Sequence, residues 1–302
     1  MDIGCTGGGV NYVTPQRTQS GNEQCFCCGQ AVLRPVYEVR SFTIARCPSC
    51  GLGRTVLDRE FDFQGYYAES YFQGGVDDGY ADYIGSEIAL RTEFQNVLAY
   101  LLKKTHGRAS LLEFGCAYGF FLQEAARHFT EVEGIELSAD AARYCQALGL
   151  KVAAGAVDDT TLRGPYDVAV GLDVIEHVPD PQDTVRLIAA RLKPGGSLLL
   201  STGDWGSLLA RLMGKWWRLM TPPQHLSFFT RASMTLMIEN TGLQLVELSH
   251  PWKRVPLALL AFQLQRMAGM KPRKLSSLSS LGIPINLWDS MRVLAVKPPN
   301  RS

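Results

Sequence analysis

From residue 111 onward the chain alternates short apolar runs of strand length with amphipathic segments of helix length, and few folds tolerate that pattern. Strands are expected over 111–114, 132–137, 151–154, 166–172, 197–202, 243–248 and 291–297. Helices are expected over 120–128, 139–148 and 183–192, the last ended by Lys193-Pro-Gly-Gly196, and an earlier one over 86–104. Strand and helix in alternation bury both faces of a parallel sheet, so the fold class is α/β, doubly wound, with seven strands.

Four of the eight cysteines form two similar knuckles, Cys25-Phe-Cys-Cys28-Gly29 and Cys47-Pro-Ser-Cys50-Gly51, separated by 18 residues. Two thiolates three positions apart in a tight turn can face one ion, and this separation falls in the range of tetrahedral four-cysteine zinc sites. Cys25, Cys28, Cys47 and Cys50 are therefore the expected ligands of a structural Zn2+ in a zinc ribbon. Cys27 lies between two of them and could replace one. A pair of disulfides fits a reducing compartment poorly, and a redox CxxC normally occurs once. Cys5, Cys116 and Cys145 read as a tail, a loop and a core-helix residue.

The whole-chain charge is +1, so no global field argues for nucleic acid or a membrane surface. Residues 251–302 hold nine basic side chains against the single acid Asp289. The N-terminus lacks a basic start followed by an apolar run, so no secretory signal is expected and the protein reads as cytoplasmic. The apolar run 255–262 is far too short to span a bilayer.

The first strand of the alternation runs into Leu112-Glu113-Phe-Gly115-Cys-Ala117-Tyr-Gly119, where small residues let the backbone approach a ligand at a helix N-terminus. A nicotinamide fingerprint would need a small residue at Phe120. The spacing instead resembles motif I of class I S-adenosylmethionine-dependent methyltransferases, with Ala117 where Gly is usual. Glu136 ends the second strand 21 residues after Gly115, placed to accept both ribose hydroxyls. The segment Asp173-Val-Ile-Glu176-His177-Val-Pro-Asp-Pro181 resembles the corresponding loop of ubiquinone-type and related small-molecule methyltransferases. So do Pro223-Gln-His225-Leu-Ser-Phe-Phe-Thr230 and Gly242-Leu-Gln-Leu245.

The resemblance implies a Rossmann-like sheet whose strand ends hold S-adenosylmethionine through Glu113, Gly115, Ala117, Gly119, Glu136, Asp158 or Asp159, and Asp173. It implies transfer of the methyl group to a hydroxyl or carbon of a small-molecule acceptor, sugar-like, lipid-linked or a secondary metabolite. Loss of an acceptor proton would fall to His177 or His225, whose ordinary pKa near neutrality suits a general base, with Glu176 orienting either. The loop after the fourth strand lacks the Pro-Pro-aromatic grip on base nitrogens, which argues against nucleic acid as acceptor. A zinc-ribbon RNA binder or scaffold that keeps the cofactor fold is the alternative. The expected layout is a flexible lead-in at 1–24, the ribbon at 25–56, and a Tyr- and Gly-rich lid with a helical linker at 57–105. The methyltransferase domain then occupies 106–302, with insertions at 203–235 and 251–288. Tyr67, Tyr71, Tyr80 and Tyr83 could cover a bound ligand, and 252–267 reads either as an amphipathic helix or as a pocket wall.

Overall fold

A computed structural model describes residues 24–57, 83–258, 260–261, 265 and 281–299. Residues 1–23 of the lead-in, with Cys5, and most of the lid, with Tyr67, Tyr71 and Tyr80, lie outside the described residues.

The main sheet contains β4 (Ser110–Phe114), β5 (Glu131–Glu136), β6 (Lys151–Ala154), β7 (Tyr166–Leu172), β8 (Leu192–Gly203), β10 (Gln244–Ser249) and β13 (Ser290–Val296). Their spatial order is β10-β13-β8-β7-β4-β5-β6. β4 to β8 run parallel, and β13 enters antiparallel between β8 and β10. The sequence expectation of seven strands in an α/β sheet is met.

Neighbouring residues of each strand feed opposite layers, as the pleat requires. Leu111, Val168, Val170 and Leu199 pack with α1 (Glu87–Lys104), α2 (Phe120–Ala125) and α3 (Ala139–Ala147) through Leu98, Leu101, Phe121, Leu122 and Ala142. Leu112, Phe114, Ala169, Leu198 and Leu200 pack on the other face with α4 (Pro181–Arg191) and α6 (Arg231–Asn240) through Val185, Ile188, Met234 and Met237. The chain therefore leaves adjacent strands β4 and β7 toward opposite faces, and the crevice between the two loops is where such sheets bind ligands. Local chemistry fixes the helix starts. Asp180 accepts from the Asp183 amide ahead of Pro181, and Thr230 and Ser233 form a capping box.

A second, four-stranded sheet contains β1 (Arg34–Val39), β2 (Phe42–Arg46), β3 (Gly53–Thr55) and β9 (Ser227–Phe228). Three of these strands belong to the cysteine module, and the fourth comes from the segment after β8. That segment also carries α5 (Leu208–Met213) and a 3-10 turn. Its return to the main sheet is fastened by buried Asp289, which accepts from Trp217 Nε1, Arg218 Nε and Arg218 Nη2, each at 2.9 Å.

Two expectations are corrected. Lys193-Pro-Gly-Gly196 does not separate helix from strand, because β8 already begins at Leu192 and absorbs these residues through a register shift against β7. The amphipathic-helix reading of the segment starting at Trp252 fails over its first turn. Lys253–Pro256 is β11, paired antiparallel with β12 (Gly282–Ile285), a partner too distant in sequence for local periodicity to reveal.

Candidate active site

The loop after β4 is shaped by its backbone. Gly115 has φ +69°, and a Cβ there would lie 2.4 Å from Val174 Cγ2 on the loop after β7. Gly119 has φ +72° and is crowded by Leu150 and Cys145. Ala117 also sits in the left-handed region, at φ +47°, where an L side chain costs about 1 kcal/mol. The Gly usual at this position in the motif would relieve that cost.

Glu136 closes the loop from the neighbouring strand end. Its Oε2 accepts from the Ala117 amide and its Oε1 from the Ser138 amide, both at 2.8 Å. Burial raises this carboxyl above its ordinary pKa, while the amides of Ser138 and Ala117 pull it back. Each oxygen keeps a further lone pair, so the group can still accept a diol. Glu113, at the end of β4, is buried, and its Oε2 has no hydrogen-bond partner among the described residues. Burial pushes its carboxyl well above the ordinary range. A buried acceptor without a donor is costly and suits a site completed by a polar ligand. Asp158 Oδ1 accepts from the amides of Thr160 and Thr161 and closes a turn after β6. The side chain of Asp159 pairs instead with Arg191. Residues of the fitting types thus surround the crevice where S-adenosylmethionine would lie. Tyr83, the one described lid tyrosine, stacks on Phe120 behind the loop.

Across the crevice, Asp173 follows β7 with φ +50°, an uncommon backbone state that clusters at functional sites. Its carboxylate accepts from Ser201 Oγ at 2.8 Å and from Lys253 Nζ at 2.8 Å. Its side chain is half exposed; desolvation by the surrounding loops opposes its charge, but Lys253 and Ser201 prevail and hold its pKa below the ordinary value. Lys253, which the sequence presents only as one charge of a basic tail, is thereby paired with Asp173.

Glu176, His177 and His225 come together beside it. The two imidazoles meet edge to face with centroids 4.7 Å apart. Each offers its Nδ1 to a carbonyl, His177 to Gln224 at 3.0 Å and His225 to Leu219 at 2.7 Å. Carbonyls only accept, so Nδ1 carries the proton in both rings and the lone pair resides on Nε2. The near-neutral pKa expected from sequence is not what the surroundings give. Burial pushes His177 down to about 4. Burial and the neighbouring ring push His225 to about 3. Glu176 moves the other way, pushed up to about 8 by burial and then by Asp173, and its Oε2 has no partner among the described residues. Near pH 7 the cluster holds two neutral bases beside a mostly protonated carboxyl. One ligand atom from each of the three lies within 4.8 Å of the others, an arrangement able to hold a divalent cation.

The Sγ atoms of Cys25, Cys28, Cys47 and Cys50 also lie within 4.8 Å of one another, with Cys25–Cys50 and Cys28–Cys47 each at 3.5 Å. Zinc–sulfur bonds of about 2.3 Å in a tetrahedron put sulfurs about 3.8 Å apart, which this quartet matches. Cys27 stands outside the quartet, and its carbonyl accepts from Asn240 of α6. Cys116 and Cys145 are buried free thiols beside the β4 loop.

The chain is 28% identical to a ubiquinone biosynthesis O-methyltransferase of Vibrio atlanticus over 163 residues, 49% of this chain and 69% of that protein. It is 32% identical to the same enzyme of Pectobacterium carotovorum over 115 residues, 35% and 48% of the two chains. The fold resembles a chain of the complex between the Haloferax volcanii Trm112 methyltransferase activator and its candidate methyltransferase. That likeness has TM-score 0.52 at 14% identity and covers 72% of this chain and 94% of that one. A candidate methyltransferase from Bacillus halodurans gives TM-score 0.51 at 15% identity, with 68% and 99% covered. The family model for the methyltransferase domain matches residues 87–248, more than half of the sequence. The chain belongs to that family and is a Rossmann-like S-adenosylmethionine-dependent methyltransferase.

Proposed function

We propose that the acceptor is a small molecule with a hydroxyl to be methylated, sugar-like or a related secondary metabolite. Glu176, His177 and His225, gathered at the end of β7 beside Asp173, carry this reading. Glu136 would take the ribose hydroxyls, Asp158 would face the adenine, and Glu113 with the amides of the Gly115 to Gly119 loop would receive the amino-acid end. Asp173, held ionised by Lys253, would lie between cofactor and acceptor. When bound, S-adenosylmethionine would supply an electrophilic methyl to the acceptor oxygen, the carbon–sulfur bond pair remaining on the S-adenosylhomocysteine that leaves. The hydroxyl proton passes to Nε2 of His225 or His177. The low pKa of both rings keeps them unprotonated and ready, though it makes each a weak base that needs close alignment with the departing proton. The Vibrio and Pectobacterium relatives are O-methyltransferases, which supports a hydroxyl over a carbon. The cysteine quartet holds structural zinc in this reading. Among the described residues no helix is long and apolar enough to cross a membrane, and we place the enzyme in the cytoplasm.

The test is transfer of labelled methyl from S-adenosylmethionine to a panel of phenols, sugar hydroxyls and RNA. Label on a hydroxylated small molecule, reduced about 100-fold in turnover by His225→Gln, is expected, the scale of a lost general base. Label on RNA alone would overturn the reading.

A cation-assisted form of the same reaction is favoured by one observation, the convergence of Glu176, His177 and His225 ligand atoms. These residues would hold the ion, which would lower the pKa of the acceptor hydroxyl. Turnover lost on dialysis free of exchangeable cations and restored by Mg2+, Mn2+ or Zn2+ would support it. Turnover indifferent to cations leaves the imidazoles as bases.

A further inference from the structure

The cysteine module is joined directly to the loops that bear the acceptor-side cluster. β3 follows the second knuckle after the single residue Leu52 and pairs with β9, Gly53 opposite Phe228 and Arg54 opposite Ser227. Beyond the paired residues, the Thr55 amide donates to the Leu226 carbonyl at 3.0 Å. Thr55 Oγ1, in a buried side chain, donates to the His225 carbonyl at 2.6 Å. Arg54 spans both loops, donating to Ser227 Oγ at 2.6 Å and to the Pro179 carbonyl at 2.9 Å. The amides of Leu226 and Ser227 in turn donate to the Glu176 carbonyl at 2.8 and 3.1 Å. At the far end of β9, Thr230 Oγ1 donates to the carbonyl of Cys50, one of the quartet. Three hydrogen-bonded layers therefore lie in sequence: the second knuckle with β3, the 225–228 segment, and the backbone of Glu176.

We propose that the cysteine module positions the acceptor-side cluster, with Thr55 and Arg54 as the positioning residues. The proposal rests on reading His177 and His225 as the groups that face the acceptor. The His225 carbonyl is bound to β3 directly, and the residues flanking His177 are held through the Pro179 carbonyl on Arg54 and the Glu176 carbonyl on the 225–228 segment, so the two imidazoles keep one separation and one angle, and the quartet fixes β3 from the other side. The bonds from Thr55 and Arg54 run to the 225–228 segment and to Pro179, all on the acceptor side of the crevice.

The test uses the full, metal-loaded chain without acceptor, comparing wild type, Thr55→Val and Thr55→Ser. Nitrogen-15 spectra follow the His177 and His225 rings, amide exchange is read at Leu226 and Ser227, and S-adenosylhomocysteine affinity is measured in parallel. Thr55→Val is expected to speed exchange at both amides about tenfold, the scale of one lost buried hydrogen bond. It shifts both ring signals and leaves cofactor affinity within about twofold. Thr55→Ser, which keeps the hydroxyl, returns all readouts to wild type. Unchanged exchange and ring signals in Thr55→Val would overturn the proposal. So would equal loss of protection in β4 and β5 with loss of cofactor affinity, since the module would then support the whole fold. If Thr55→Val does not fold, Arg54→Gln replaces it, and the same two results would overturn the proposal. These readouts need no turnover, so failure of the acceptor-base reading in a methyl-transfer assay stays distinct from failure here.

Discussion

The two sides of the crevice are built differently. On the proposed reading, the cofactor side lies within residues 113–161 and the acceptor side around Glu176, His177 and His225, and the cofactor side is shaped by its own backbone. Gly115 and Gly119 have left-handed φ values and no room for a Cβ, and Glu136 grips the Ala117 amide from the next strand. The acceptor side is assembled from distant segments: Glu176 and His177 after β7, His225 beyond β8, Lys253 on β11, and Thr55 on the cysteine module. A local motif survives perturbation elsewhere, whereas an assembled cluster depends on every segment that holds it. The two sides should therefore fail separately.

The largest separation is expected at Asp289. Replacing it with Ala leaves the Trp217 and Arg218 donors without their buried carboxylate and should cost roughly 3 kcal/mol in denaturant unfolding. The loss should fall on the segment after β8, and amide exchange should show 204–230 opening ahead of β4 and β5. Uniform opening would break the contrast between the two sides.

Next in size is a pH effect confined to the acceptor side. Glu176 is protonated when folded, with its pKa raised from 4.5 to about 8, so the folded state holds a proton that the unfolded chain has released between those values. Stability from this group is present below pH 4.5, falls as pH rises toward 8, and levels off above it, with a slope of at most about 1.4 kcal/mol per pH unit. His177 and His225 have the opposite sign. The unfolded chain binds their protons below 6.5 while the folded state stays neutral down to about 4 and 3, so they destabilise as pH falls through that window. Glu176→Gln removes only the first effect. Wild type should therefore lose stability relative to this variant from about pH 5 to about pH 8, measured by melting at several pH values. A pH-independent difference would contradict the buried, protonated carboxyl.

The smallest effect belongs to the cofactor side. Ala117→Gly should relieve the left-handed strain, offset by the unfolded-state entropy of glycine, leaving a net change within about 1 kcal/mol and unchanged cofactor affinity. A loss of several-fold in affinity would show that the Ala117 methyl contacts the ligand.

The same contrast explains what the sequence disclosed. Tyr166–Leu172 coincides with the strand expected because buried parallel strands are short, continuous apolar runs bounded by turns, and the edge strand Lys151–Ala154 coincides as well. The knuckles and the Gly115 to Gly119 loop are local, so their spacing is visible in the chain itself. The pairing of β3 with β9 and the Lys253–Asp173 contact join residues 80 or more positions apart, and no local periodicity encodes them. The shifted histidine pKa values are equally hidden, since they arise from burial among segments that meet only in the folded chain.

The most direct test of two separable sides is calorimetric titration with S-adenosylhomocysteine of wild type, Glu136→Ala and His225→Gln. Micromolar binding by wild type, weakened by about 2 kcal/mol in Glu136→Ala as charge-assisted hydrogen bonds are lost and unchanged in His225→Gln, is the predicted result. No binding by wild type, or equal weakening in both variants, would contradict it.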